Sequence, residues 1–177
     1  MKVFKILPLS ILLCLSIQAN ASTNKDAQKN IQQVVEDFRV SLIEKDKEKF
    51  LSLFYGEHIP WLGVVSDKTM ARHPERSKKR GKINSGNYES FIDWIVTDSK
   101  PKEEKFWDIN IQSDGEIGTV HFKYSFHNGD YKTNWGDEAW HMVKTKGGWK
   151  INSVIYSITI NPEPDPSAKP AKPSKQS

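Results

Sequence analysis

Apolar residues recur at steps of three and four early in the chain and at steps of two in its second half. Ala27, Ile31, Val34, Val35, Phe38 and Leu42 share one face of a helical wheel, with Glu36, Asp37 and Arg39 on the other side. This predicts an amphipathic helix with a buried stripe. Asp46 is placed to cap a second, shorter helix that puts Phe50, Leu51 and Phe54 on one face, and Gly56 is a natural stop. Ile59 to Val65 reads as a short strand, at a sheet edge because of Pro60. Asp67 to Ser85 has no apolar period and predicts a mobile loop without buried anchors. A third helix begins at the cap Asn87, carries Tyr88, Phe91, Ile92 and Ile95 as its stripe, and ends before Pro101.

From Glu103 the period changes to two. Phe106–Ile111 is a strand, Ser113–Glu116 a turn, and Val120, Phe122, Tyr124 and Phe126 alternate with polar residues in the next strand. Asn128-Gly129 is the strongest hairpin signal in the chain. Strands follow at Tyr131–Thr145 and Trp149–Ile160, separated by Lys146-Gly147-Gly148. Helices followed by a four-stranded meander predict an α+β fold, with helices on one face of a bent antiparallel sheet.

The two ends differ from this body. Lys2 and Lys5, the apolar run Ile6–Ile17 and Ala19-Asn20-Ala21 follow the order of a cleavable export signal. The expected division is a signal over residues 1–21, one domain over 22–160 and a disordered Pro- and Lys-rich tail over 161–177. The apolar run is too short to span a bilayer, so no transmembrane segment is expected, and the mature protein would be periplasmic or secreted. The lone cysteine, Cys14, lies inside the signal, which excludes disulfides and thiol chemistry from the mature chain. The formal charge is +4, and removal of Lys2 and Lys5 lowers it to +2. That balance does not indicate nucleic-acid binding. The basic stretch Lys68–Lys82 also contains no aromatic residue on which a base could stack.

Phe38–Phe54, with IEKDKEKFLSLF, resembles the helix pair that opens nuclear transport factor two-like domains. Gly136–Thr159, GDEAWHMVKTKGGWKINSVIYSIT, resembles the last two strands of SnoaL-like small exported proteins. The likeness runs over roughly Gln28–Thr159, and the Gly-Gly-Trp turn with KINSVIYS is its most specific part. It implies a cone-shaped curved antiparallel sheet wrapped around N-terminal helices, a cystatin-like α+β roll. It also implies a pocket at the wide end and a homodimer through the outer sheet face. Enzymes of that superfamily place an Asp, Glu or His base in an apolar pocket with a Tyr, Asp or Trp nearby, but its members also include binding proteins and assembly domains.

The residues available for such a pocket are Tyr124, Glu138 and Trp140, with His58 and Trp61 near the expected mouth. Glu138 and Asp137 are the candidate bases. Only one of them can face inward, because neighbours on a strand point to opposite faces. A direct two-residue hairpin at Asn128-Gly129 would set Phe122 against Trp135 and Val120 against Asp137. A one-residue bulge near Trp135-Gly136 would instead turn Glu138 and Trp140 to the concave side, and this register is expected. The five histidines show no ligand spacing, so no metal and no cofactor is implied. The first reading is an exported small-ligand-binding or accessory protein, non-catalytic, with an apolar, aromatic-lined pocket. The alternatives are an isomerase-, dehydratase- or cyclase-type enzyme with a carboxylate base, or a dimerising module without ligand.

Overall fold

The computed structural model describes residues 12–74 and 81–166, with side chains from Asn24 onward. The expected signal therefore lies outside the residues whose side chains are described. Helix α1 (Leu12–Glu44) buries Ile31, Val34, Val35, Phe38 and Leu42, the stripe its period predicts. Helix α2 (Lys47–Ser52) is capped by Asp46, whose carboxylate accepts the Lys49 N–H at 2.9 Å. Such a cap contributes about 1 kcal/mol. Next come β1 (Trp61–Val65), α3 (Asp67–Arg72) and β2 (Ile83–Ser85). Helix α4 (Tyr88–Thr97) is capped by Asn87, which accepts the Ser90 N–H at 2.7 Å. Four long strands close the chain: β3 (Lys102–Ser113), β4 (Ile117–Asn128), β5 (Tyr131–Thr145) and β6 (Gly148–Ile160).

These strands form one mixed sheet in the order β2-β1-β6-β5-β4-β3. The sheet is not closed. Helix α1 packs against both β3 and β6, which two strands separate, so the sheet curves strongly around it. Phe38 sits at the centre of the enclosed core, with ring centroids 5.0 Å from both Phe50 and Trp140.

Three expectations are corrected here. Strand β1 is not an edge: it pairs in parallel with β6 and carries β2 on its other side. Pro60 is tolerated because it precedes the strand, and its carbonyl still accepts the Val154 N–H. The stretch 67–85 is not uniformly a loop. Ser66 caps α3, Thr69 and Met70 are buried, and Arg72 donates to the Ile160 carbonyl at 3.0 Å. Its residues 75–80 lie outside the described ones. The tail begins later than its composition suggests. Asn161 N donates to Thr133 O, Tyr131 donates to the Glu163 carbonyl, and Lys100 pairs with Asp165. Residues 167–177 lie outside the described ones.

The β4–β5 register is also corrected in its details. Asn128 pairs with Tyr131, so Gly129 and Asp130 make the turn, and Gly129 takes the left-handed backbone the turn needs. The extra residue is Thr133, between the pairs His127–Lys132 and Phe126–Asn134, and not at Trp135-Gly136. The outcome for facing is nevertheless the expected one: Phe122 opposes Glu138 and Val120 opposes Trp140, all buried.

Candidate functional site

A cavity of about 330 Å³ lies on the concave side of the sheet. Each wall has a local origin. Helix α4 presents Phe91 and Trp94, strand β1 presents Trp61, and β4 presents Tyr124 and Phe126. Trp94 is 46% exposed while lining the cavity, which marks it as part of the rim. The Thr133 bulge brings Thr133 and Asn134 to the same rim.

Gly136 makes room for Tyr124. It lies opposite Tyr124 in the β4–β5 pairing, where a side chain would stand in the way. Tyr124 instead reaches across β5, and its hydroxyl donates to the Ser157 carbonyl of β6 at 2.9 Å. A Cβ on Gly136 would lie 2.1 Å from that carbonyl oxygen, so only glycine allows this approach.

Two carboxyls complete the site. Glu138 on β5 is 4% exposed and Glu104 on β3 is 5% exposed, and both line the cavity. Trp140 Nε1 donates to Glu138 Oε1 at 2.6 Å. Burial pushes the Glu138 carboxyl up to about 8, against the opposing pull of that hydrogen bond. Burial, and then the charge of Glu138, hold Glu104 well above the usual carboxylate range. The two acids interact, so their raised proton affinity belongs to the pair. Burial, with both acids adding to it, also raises Tyr124. Tyr156 is raised by burial, opposed by a hydrogen bond from Trp61. A protonated acid beside an ionised one can donate and accept hydrogen bonds on the same ligand. Among the described residues, no group of three or more His, Cys, Asp or Glu is placed to hold a metal ion. No helix among them is long and apolar enough to cross a membrane.

No protein-family model matches the chain, and no curated protein matches its sequence. Solved structures do share its architecture. A candidate scytalone dehydratase from Novosphingobium aromaticivorans superposes with a TM-score of 0.57 at 16% identity, over 79% of this chain and 89% of that one. A nuclear transport factor two-like protein of unknown function from Pseudomonas putida gives a TM-score of 0.56 at 11% identity, over 78% and 91%. A cystatin-like-fold protein of unknown function from Nostoc punctiforme gives 0.50 at 17%, over 78% and 90%.

The chain has the nuclear transport factor two-like fold. Within this nuclear transport factor two-like cone the residues singled out from the sequence divide into two groups. Tyr124, Glu138 and Trp61 meet on the cavity wall. Trp140 is absent from that wall: it is buried behind it, packed on Phe38 and Phe122, and acts by holding Glu138. His58 is exposed and away from the cavity. Asp137 is exposed on the convex face, 4.0 Å from His121.

Glu104 is the residue that sequence reasoning missed. In Lys102-Glu103-Glu104-Lys105 it looks like one solvated charge among four. The usable signal was the two-residue period: extended back from Phe106, it puts Glu104 and Lys102 on the inward face. Lys102 is buried as well, with its ammonium on Asp98 at 2.7 Å and Asn128 at 2.5 Å.

Proposed function

We propose that this protein binds a small, ring-containing, largely apolar compound in the concave cavity, with the Glu104–Glu138 pair as the polar end of the site. The observation that carries this reading is the placement of two buried acids on one aromatic cavity. A volume of about 330 Å³ sits at the small end of ligand sites and suits one or two rings. Export through the N-terminal signal, with a mature protein starting at Ser22, belongs to the same proposal.

The raised carboxyl on the cavity favours a second reading, an acid–base enzyme. Glu138 would act as general base while the protonated partner donates to a developing oxyanion. Isomerase, dehydratase and cyclase chemistry all need such a pair. One structural neighbour carries a dehydratase name, and at 16% identity that likeness supports the fold alone.

Native mass spectrometry of the purified protein is expected to detect a co-purified organic molecule, and one- and two-ring compounds are expected to quench tryptophan fluorescence. Bare protein that none of a broad panel of such compounds quenches would refute the binding reading. Incubation with cyclohexenones in D2O, followed by NMR, tests the second. Carbon-bound hydrogen exchange that Glu138→Gln abolishes supports it, and exchange at the buffer rate dismisses it for that substrate class.

A further inference from the structure

Resting on the reading of the concave cavity as the ligand site, we propose that its ligand is a cation: an organic ammonium with an aromatic or alicyclic body, its charge held between Glu104 and Glu138. The first argument is charge balance. Both acids are almost fully buried, and no Lys, Arg or His lines the cavity. The cation closest along the chain on that face, Lys102, stands over the Trp94 ring at 4.8 Å and is taken by Asp98 and Asn128. A buried carboxylate is normally paired with a cation or neutralised by a proton. Here no cation among the described residues pairs with the two acids, so without ligand a proton neutralises them, and a cationic ligand can take that proton's place.

The second argument is the hydrogen-bond inventory. Trp140 N–H is spent on Glu138 and Tyr124 O–H on Ser157. At the rim, Thr133 donates to Phe126 O and Asn134 donates to Thr133. The Tyr156 hydroxyl and a protonated carboxyl can donate, whereas the ionised pair only accepts. Once the pair is ionised, such a cavity selects a ligand that donates or carries positive charge, and it repels carboxylates and phosphates. The third argument is the wall: the rings of Trp61, Phe91 and Tyr156 line the cavity, and aromatic rings attract organic cations once these are desolvated, while Trp94 already carries the Lys102 ammonium 4.8 Å from its ring centroid.

Proton linkage makes the idea specific. The titratable groups that face the pair are Tyr124 from β4 and Tyr156 from β6, both held neutral, while α1, α4 and β1 contribute only rings. An entering cation stabilises carboxylate over carboxylic acid, so binding below the raised pKa of the pair expels a proton, and affinity rises with pH.

The probes are benzyltrimethylammonium, whose charge does not titrate, and its uncharged carbon isostere neopentylbenzene. Titration calorimetry at about pH 6.5, in two buffers of different ionisation enthalpy, is expected to show release of up to about one proton per cation bound. The cation should bind roughly tenfold or more tightly than the isostere. In the Glu104→Gln/Glu138→Gln protein that preference should vanish while the isostere binds as before. Isostere binding equal to or tighter than cation binding in the unmodified protein overturns this inference and leaves the cavity reading intact. Cation binding without proton release overturns it too. Failure of both probes to bind sinks the cavity reading and this inference with it. Each of these three results is obtained with the unmodified protein alone, so poor folding of the double variant does not protect the idea.

Discussion

Replacing Glu138 by glutamine keeps the side-chain shape and leaves an oxygen for Trp140 Nε1, while removing a titrating group from the core. In the folded protein, burial raises the Glu138 carboxyl from the ordinary 4.5 to about 8. The folded state therefore holds a proton that the unfolded chain releases. The stabilisation from this proton is fully present below the unfolded value and is lost as pH rises through the folded one. Each proton held in excess by the native state lowers stability by about 1.4 kcal/mol per pH unit. Between about pH 5.5 and about pH 7.5 the unmodified protein should thus lose on the order of 3 kcal/mol for one proton held by the Glu104–Glu138 pair. Glu104 adds slope of the same sign, and in the variant it keeps its burial but loses the charge of Glu138. His127, whose pKa burial lowers, titrates with the opposite sign in both proteins and cancels from their difference. Urea unfolding followed by tryptophan fluorescence at half-unit pH steps measures that difference directly, provided the m-values agree. The variant should match the unmodified protein near pH 5 and exceed it by a few kcal/mol near pH 8. Parallel pH profiles for the two proteins would refute the claim that Glu138 is a strained acid.

Other substitutions probe the supports of the site. Gly136→Ala forces a Cβ onto the Ser157 carbonyl and should cost about 2–4 kcal/mol with loss of ligand binding, read by urea unfolding. Lys102→Ala removes the buried ammonium from Asp98 and Asn128 and should cost about 2–3 kcal/mol, measured the same way. Ser66→Ala removes the α3 cap and should cost about 1 kcal/mol, with faster amide exchange confined to α3 and the end of β6. The convex face leaves Val64, Ile117 and Ile155 exposed, and a homodimer through that face is expected; a monomer at micromolar concentration in sedimentation would contradict it.

The sequence was most informative where one physical signal dominated. The α1 stripe, the Asp46 and Asn87 caps and the alternation Val120–Phe126 are local patterns, and the structure realises each of them. The inward facing of Glu138 was also legible, because the alternative buries Asp137 against an apolar core. The mechanism behind that facing was not. The shifted turn and the Thr133 bulge together give the facing expected from a bulge at Gly136, and facing depends only on their sum. What stayed hidden depends on distant partners. The parallel pairing of β1 with β6 leaves no mark in the composition of Trp61–Val65. Helix α3 forms in a highly charged stretch because two of its side chains find cover against β6. Glu104 was masked by its neighbours, since a charged run looks solvated until the pleat is assigned.

The sheet order carries a consequence for how the protein comes into being. Among the described strands β6 is the last to leave the ribosome, yet it lies inside the sheet, between β1 and β5. Trp61 waits for Val154, made roughly ninety residues later, before β1 gains its inner neighbour. Until then β1 has only the three-residue β2 to pair with, and the concave wall lacks Tyr156. Such non-local closure is slow and comes late. A nascent chain of this topology cannot complete its sheet until β6 is made. On the proposed export route, the cavity would first exist on the far side of the membrane.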